Sequence, residues 1–419
     1  MGWSRTAQRG IAGLPDRLRI ELGAWAAHAL HDGFTDMIYA LLPVWQAEFG
    51  LGYAALGTLR TLYTGSMAGL QVPVARLAAG RSGVAVLACG TALAGGGYLF
   101  ASFGSHVAWL AVALLLSGAG SSVQHPIGSA LVARAYDADP AGSRRALARY
   151  NFSGDLGKAA LPAAMAAALA VLPWRPAIGV AGLLGLLVAA CLPALLGHAA
   201  AAPRSPDVPT VGASRGTPSR GGFALLFGIG LLDSATRMGF LTFLPFLLRD
   251  KGADMPAVGL ALALVFLGGA GGKLGCGWLG ARVGVVGTVL LTEAATAACI
   301  LTLLIPALPL TGAMALLPVL GVMLNGTSSV LYGSVPDLVA PEPRERGFAL
   351  FYTGTIGSGA VSPALYGVLG DAVGVHAATA AVGCGALLTL PLALALGPAL
   401  RRADAASPMR PASPPRARP

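Results

Sequence analysis

The most constraining feature of the sequence is the stretch from Ala26 to Trp45, which is long enough to cross a bilayer yet carries ionisable side chains. At about 100° per residue in a helix, its polar residues fall within an arc of roughly 140°. The polar residues are His28, His31, Asp32, Thr35, Asp36 and Tyr39, and the opposite side carries Leu30, Phe34, Met37 and Leu41. Such a helix is expected to line a watery cavity or to pair with other helices.

The composition is typical of an integral membrane protein. Hydrophobic residues make up 55% of the chain and charged residues only 11%, whereas soluble domains carry about 25% charged residues. The five cysteines show neither paired loop spacing nor metal-ligand spacing, so no disulfide framework, metal site or cofactor is predicted. The first apolar run is too long and too charged for a signal peptide.

Apolar runs of about 20 residues predict an all-α fold with twelve transmembrane helices. The predicted spans 1 to 12 are 22–45, 54–75, 83–103, 107–133, 150–172, 176–197, 222–247, 256–279, 284–306, 312–338, 347–369 and 374–398. Residues 198–221 are rich in Pro, Ser, Gly and Arg and are expected to be a flexible linker between two six-helix bundles, 22–197 and 222–398. Residues 1–21 form an N-terminal segment, and 399–419 a basic, disordered tail.

Lysine and arginine concentrate in alternate loops, which predicts the orientation in the membrane. Both terminal segments, the linker, the second and fourth loops and the loops after spans 8 and 10 are basic, and Lys273 is assigned to these loops. We therefore expect a multi-pass protein of the inner (cytoplasmic) membrane with both termini in the cytoplasm. Topology then explains the net charge of +10, so the lipid bilayer is the expected partner and nucleic acid is not.

The two halves of the chain resemble each other. GAGSSVQHPIGSALVA at 118–133 parallels NGTSSVLYGSVPDLVA at 325–340, and NFSGDLGKAALPA at 151–163 parallels YTGTIGSGAVSPA at 352–364. Two similar six-helix bundles joined by a linker are a recurrent plan of secondary transporters, with the substrate site between the halves near the midplane.

Variants of one glycine-rich loop motif, G-x-L-a-D-r-x-G, carry a resemblance to a known family. GWLGARVG at 277–284 and ARLAAGRSG at 75–83 lack its acid, and GVLGDAVG at 367–374 keeps it on the opposite side. The chain thereby resembles the major facilitator superfamily over essentially its whole length. The resemblance implies a central cavity lined by spans 1, 4, 7 and 10 and a gating motif at Gly277, Arg282 and Gly284, whose charge latch the missing acid puts in doubt.

Three further runs are similar to the fosmidomycin-resistance-like branch of that family. They are D-x-x-x-x-L-L-P from Asp36 to Pro43, G-x-G-S-S-x-x-H-P from Gly118 to Pro126, and Gly154-x-x-Gly157 followed by Pro162. This resemblance implies proton-driven efflux of small molecules.

Charged groups at membrane depth cost about 2.5–3.5 kcal/mol each, so each is expected either to function or to fix helix packing. We predict that Asp32 carries the proton, because it lies nearer mid-membrane. Arg60 is expected either to pair with Asp36 or to snorkel outward. Histidine titrates near neutral pH, which makes a proton relay the alternative to packing for these histidines. The predicted proton-coupling residues are Asp32, Asp36, His31, His28 and His125.

Further polar residues are candidates for contact with substrate. Asp155 and Lys158 are spaced to pair on one helix face, and so are Asp233 and Arg237. Glu293 has no evident partner and is assigned to local packing or snorkelling. The predicted substrate and cavity residues are Arg60, Asp155, Lys158, Asp233, Arg237, Asn325 and Tyr332.

Motifs of enzymes are absent from the sequence, which has neither a P-loop nor a G-x-S-x-G elbow. The leading prediction is a monomeric, non-enzymatic, proton-coupled secondary transporter that exports a small organic compound or drug. One alternative is a proton symporter that imports an organic anion or other small metabolite. Another is a membrane receptor on the same fold that transports nothing, although a purely structural bundle gains little from so many buried charges.

Overall fold

The computed structural model describes residues 15–137, 139–197, 219–339 and 344–405, and these ranges contain helices and no strands. The all-helical prediction is thereby confirmed. The first half contains Asp16–Phe49, Tyr53–Ala78, Gly83–Ala101, Val107–Ser121, Ser129–Arg134, Pro140–Leu169 and Trp174–Leu196. The second half contains Arg220–Asp250, Met255–Leu303, Leu310–Leu338, Arg344–Val373, Val375–Leu387 and Thr389–Ala405. Residues 198–218 of the predicted linker and 406–419 of the predicted tail lie outside the described ranges.

These helices follow the twelve predicted spans, with local breaks. Span 4 consists of two α-helices joined by a π-helical turn, Gln124–Gly128. Spans 8 and 9 form the single segment Met255–Leu303, interrupted where Gly284 adopts φ 76° and ψ 172°. The motif glycine at 284 thus makes the sharp junction between two spans, because a side chain disfavours positive φ.

Eight helical segments of the described chain are long and apolar enough to cross a membrane. The other four long helices, which hold spans 1, 2, 5 and 11, contribute many of the polar and ionisable side chains described below. Their lower hydropathy therefore reflects the interior that they line rather than a position outside the membrane.

The helices pack closely within each half. Span 1 lies against span 5, and a Cβ added at Gly157 would stand only 1.9 Å from the carbonyl oxygen of Ala29. Small residues at such crossings let membrane helices approach backbone to backbone. Between the halves, span 2 packs against span 11 and span 5 against span 8.

We call the side of the bundle where spans 1 and 7 begin and span 6 ends the terminal side, and the opposite side the distal side. At the distal side the two halves are closed together. The Asp371 carboxylate at the end of span 11 accepts hydrogen bonds from the backbone N–H groups of Tyr53 (2.6 Å) and Ala54 (3.0 Å), at the start of span 2. A Cβ at Gly57 would stand 2.1 Å from the carbonyl oxygen of Pro363, so the two backbones touch there.

An ion pair on the terminal side, one residue before span 1, ties Glu21 to the start of span 5. Arg149 donates to both carboxylate oxygens, at 2.7 and 3.0 Å, and the Tyr136 hydroxyl donates to the same carboxylate. Burial raises the pKa of Glu21, but the hydrogen bonds and the positive charge of Arg149 outweigh burial and hold the pKa below its usual value.

Candidate functional site

A cavity of about 520 Å³ lies between the two halves. Volumes of this size suit a small organic ligand. Spans 1, 2, 4 and 5 contribute to its lining from the first half, and spans 7, 8, 10 and 11 from the second. Ten of the predicted residues line it: His28, Asp32, Asp36, Arg60, His125, Asp155, Lys158, Asp233, Arg237 and Tyr332.

Asp32 is the centre of a group that we call the central cluster, made of Asp32, His28, His125 and Lys158. One carboxylate oxygen lies 3.3 Å from Lys158 Nζ and 3.4 Å from His28 Nε2, and the other lies 3.9 Å from His125 Nε2. The Asp32 side chain is only 11% exposed. One buried carboxylate therefore contacts an ammonium and two groups that can accept protons.

The hydrogen bonds of His28 identify which of its nitrogens can take a proton. Its Nδ1 lies 2.8 Å from the carbonyl oxygen of Tyr150, and the two rings stack at 4.1 Å. A carbonyl oxygen only accepts, so Nδ1 carries a hydrogen. The buried Nε2, which faces Asp32, has no hydrogen-bond partner. Proton uptake at Nε2 would convert this contact into a charge-assisted hydrogen bond.

Local sequence explains how two of these groups reach Asp32. Pro126 removes a backbone donor beside His125, and the chain forms a π turn there, a feature frequent at functional sites. The Ser129 hydroxyl then donates to the His125 carbonyl at 2.5 Å. On span 5, a Cβ at Gly154 would stand 2.6 Å from the Asp32 carboxylate, so this glycine makes room for the cluster.

Asp36 and Arg60 form a second ion pair closer to the distal side, as predicted. The guanidinium donates to the Asp36 carboxylate at 3.1 Å and to the Tyr39 hydroxyl at 3.2 Å, and it stacks over the Tyr39 ring. Arg60 is only 1% exposed. Its position excludes the alternative that it snorkels outward to the membrane surface.

The predicted pairing of Asp155 with Lys158 is wrong. Lys158 instead reaches Asp32, and Asp155 lies 2.5 Å from Lys273 Nζ of the second half. The physical reason is that span 1 brings the Asp32 carboxylate to Lys158, and span 8 brings the Lys273 ammonium to Asp155. Lys273 was also misplaced: it lines the cavity and does not belong to a basic loop.

In the second half, Arg237 donates to the Asp233 carboxylate at 3.1 Å, as predicted. Tyr332, at the position that corresponds to His125, hydrogen-bonds the Thr355 hydroxyl at 2.9 Å. Glu293 is only 2% exposed. Burial to this degree excludes the snorkelling alternative, and the predicted local packing remains.

The remaining predicted residues lie away from the described lining of the cavity. His31 lies between the hydroxyls of Thr91 (2.9 Å) and Ser121 (3.0 Å). Thr91 donates its own hydrogen to a backbone carbonyl, so His31 donates to Thr91. The proton-coupling role of His31 stays a prediction. Asn325 donates to the Gly321 carbonyl on its own helix.

The predicted gating motif lies near the ends of spans 8 and 9. Arg282 stacks over the Trp278 ring at 4.0 Å, and a Cβ at Gly277 would meet nothing within 4 Å. Its gating role stays a prediction.

By distance alone, His28, Asp32 and His125 could also hold a metal ion, because their donor atoms lie within 4.8 Å of one another. Such an ion would have to compete with the Lys158 ammonium for the same carboxylate. Sequence reasoning missed that Lys273 lines the cavity; the available signal was a lone cation inside the apolar run 256–279.

Solved transporter structures share this fold. A bacterial homologue of the human lysosomal transporter Spinster, in an inward-facing and occupied conformation, has a TM-score of 0.71 at 16% identity, covering 94% of this chain and 98% of its own. The nucleoside transporter NupG has a TM-score of 0.75 at 11% identity, covering 92% and 100%. A mutant of the peptide transporter POT in complex with sulfate has a TM-score of 0.74 at 14% identity, covering 91% and 95%.

No curated protein matches the sequence. The family model of the Major Facilitator Superfamily matches residues 24–224 and 226–419, nearly the whole chain. Together with the two helical halves and the cavity between them, this match identifies the chain as a multi-pass membrane transporter that belongs to the Major Facilitator Superfamily.

Proposed function

We propose that the chain is a proton-coupled secondary transporter of a small organic compound, with the central cluster as its coupling site. The observation that carries the proposal is the contact of one buried carboxylate, Asp32, with Lys158 and with the unpartnered Nε2 of His28. Buried ionisable groups in membrane transporters mark proton and substrate pathways.

The cluster suggests how a proton and a substrate communicate. While Asp32 is ionised it neutralises Lys158, and protonation of the carboxylate removes that ion pair and leaves the ammonium without its counter-ion. A buried charge without a partner is costly, so protonation makes the cluster bind a new anion or rearrange. His28 and His125 lie beside Asp32 as the groups that pass the proton.

Export by proton antiport is the leading direction, supported by the similarity of Asp36–Pro43 and 118–126 to the fosmidomycin-resistance-like branch. In this cycle, substrate and protons compete for overlapping sites in the cavity. The two halves rock so that the cavity opens alternately to each side of the membrane. We place this cycle in the inner membrane, with both termini of the protein in the cytoplasm, and we take the monomer as the working unit. Proton symport of an organic anion is the second candidate, favoured by the Asp32–Lys158 pair, because protonation of Asp32 frees a cation for the anion.

The test begins with purified protein. A thermal-shift screen across pH, spanning phosphonates, organic acids, sugars and hydrophobic drugs, identifies a compound that stabilises the folded state. That compound is then added outside proteoliposomes that enclose a pH-sensitive dye. Antiport predicts that entry of the compound makes the interior alkaline, and symport predicts that it becomes acidic. A compound that crosses without any pH change contradicts proton coupling, and failure of every compound to bind or move favours the receptor alternative.

A further inference from the structure

Two histidine nitrogens and one carboxylate of the central cluster lie in the arrangement of a metal-ion donor set. His28 Nε2 lies 3.4 Å from one oxygen of Asp32 and His125 Nε2 lies 3.9 Å from the other, and one donor atom from each residue lies within 4.8 Å of the rest. A tetrahedral zinc ion with bonds of about 2.1 Å holds its ligand atoms roughly 3.4 Å apart. The three donor atoms therefore need to close up by at most about 1.4 Å to coordinate one ion.

The hydrogen bonding of His28 prepares its Nε2 as a ligand. Its Nδ1 donates to the carbonyl oxygen of Tyr150 at 2.8 Å, so the lone pair of the neutral ring is on Nε2. Metal-bound histidines usually donate their other ring N–H in this way, which fixes the tautomer and the orientation of the ring. The Nε2 atom is buried without a hydrogen-bond partner, and His28 is 3% exposed. It faces the Asp32 carboxylate as acceptor against acceptor, and a proton or a metal ion between them makes the contact favourable.

The cavity supplies a route for an ion to this donor set. The His125 side chain is 36% exposed, and His28, Asp32 and His125 all line the cavity. Three protein ligands leave the fourth position of a tetrahedral ion free for water or an anion. Because the ligands come from two spans, a bound ion would also tie span 1 to the π turn of span 4.

Lys158 opposes metal binding at the cluster. Its Nζ lies 3.3 Å from the same Asp32 oxygen that His28 faces. The ammonium and the carboxylate are neutral together, whereas a divalent ion beside both would leave two uncompensated positive charges in a buried site. The ion must therefore displace Lys158, whose long side chain is 30% exposed and lines the cavity.

We propose that the central cluster is a binding site for a divalent transition-metal ion of the Zn²⁺ type. His28, His125 and Asp32 are its ligands, and Lys158 is the built-in competitor for the carboxylate. The ion takes the place between His28 and Asp32 that a proton takes in the transport cycle, so Zn²⁺ inhibits proton coupling. That consequence rests on the proposed function, whereas the metal site itself does not.

Isothermal titration calorimetry with Zn²⁺ tests the site, on purified protein that carries no histidine tag. His28→Gln and His125→Asn should each weaken Zn²⁺ binding at least roughly tenfold, since even the loss of a group that only orients a ligand costs about 10–100-fold. Lys158→Gln should strengthen binding at least roughly tenfold, because it removes a like charge from a buried site. A site elsewhere on the protein has no reason to respond to Lys158.

His376→Gln is the matched control, because His376 also stands beside a carboxylate but at the surface. Its Nδ1 lies 3.9 Å from Asp250, and its side chain is 57% exposed. This variant should bind Zn²⁺ as the wild type does. Absorption spectra with Co²⁺ in place of Zn²⁺ identify the ligands, since cysteine thiolates give a strong charge-transfer band that nitrogen and oxygen ligands lack. We expect no such band.

Four results would overturn the proposal. Absence of Zn²⁺ binding in both the wild type and Lys158→Gln means that the donor set does not close around an ion. Unchanged affinity in His28→Gln or in Lys158→Gln means that the ion binds elsewhere. Loss of binding in His376→Gln, or a thiolate band with Co²⁺, has the same meaning. If His28→Gln does not fold, His125→Asn decides the question, because this side chain lies at the surface of the cavity.

The outcome is separate from that of the transport assay. Absence of proton flux in proteoliposomes would leave the calorimetric result unaffected, and absence of Zn²⁺ binding would leave coupling through Asp32 intact.

Discussion

Closure of the distal side is predicted to depend on the contact between Asp371 and the start of span 2. The carboxylate accepts from two of the backbone N–H groups that a helix leaves unpaired at its first turn. Removing a helix cap costs about 1 kcal/mol, and loss of a negative charge at a helix N-terminus costs about 0.3–1 kcal/mol more. Because the contact joins the two halves, Asp371→Ala should disfavour only the distal-closed state, by about 1.5 kcal/mol in total.

A change of that size shifts the equilibrium between distal-closed and distal-open states roughly tenfold, since 1.4 kcal/mol corresponds to a factor of ten. Pulsed electron paramagnetic resonance can measure the shift with spin labels at two exposed distal positions, Ser105 in the first half and Ala307 in the second. The labels require a background in which the five native cysteines are replaced. The population with the longer distance should increase about tenfold in Asp371→Ala.

Asp254 provides a matched control, because it also caps a helix at the distal side. Its carboxylate accepts from the N–H of Ala257 at 2.9 Å, within a single half. Asp254→Ala should therefore lower stability without changing the distance distribution. An unchanged distribution in Asp371→Ala, or an equal shift in Asp254→Ala, would refute the assignment of Asp371 to closure.

Three further perturbations test the packing of buried charges. Gly154→Ala should abolish substrate-driven proton flux, because its Cβ would stand 2.6 Å from the central carboxylate, whereas Gly65→Ala, with nothing within 4 Å, should leave the flux unchanged. Arg60→Gln should lower the free energy of unfolding by about 3–5 kcal/mol, because it leaves Asp36 buried and unpaired. Adding Asp36→Asn should restore most of the lost free energy, as measured by chemical denaturation. A double variant that is no more stable than Arg60→Gln would contradict the pairing. Glu21→Gln should destabilise the protein at neutral pH. The pKa of Glu21 is lower in the folded state than its value of 4.5 in the unfolded state. The stabilisation by Glu21 is therefore complete above pH 4.5 and is lost as the pH falls through the folded pKa, so the melting temperatures of the variant and the wild type should converge in acid. A difference in melting temperature that stays constant with pH would contradict this.

The helical architecture was predictable because membrane spans have a simple signature. Runs of about 20 apolar residues set the positions of the helices, and the repeat between 118–133 and 325–340 indicated two related halves. Even the break at Gly284 coincides with a motif glycine.

The partners of the buried charges were less predictable, because they depend on how each helix is rotated and on which neighbour it meets. Consecutive residues on a helix point about 100° apart, which is why Asp32 faces the cavity while His31 is turned toward Thr91 and Ser121. Lys158 of span 5 pairs with Asp32 of span 1 within the first half, a contact that helical spacing alone does not indicate.

Glu293 shows a second limit of sequence reasoning. Family geometry places span 9 at the periphery, so its acid was assigned to local packing. Its side chain is only 2% exposed, so it packs rather than snorkels, and the spacing of its own helix could not decide between the two.

The central claim is that Asp32 couples protons to substrate, and proton flux in proteoliposomes tests it most directly. With a substrate found in the binding screen, Asp32→Asn should lose substrate-driven proton flux while the protein still folds, and Glu48→Gln should retain the flux. Substrate-driven proton flux at the wild-type rate in Asp32→Asn would contradict the account and show that another group carries the proton.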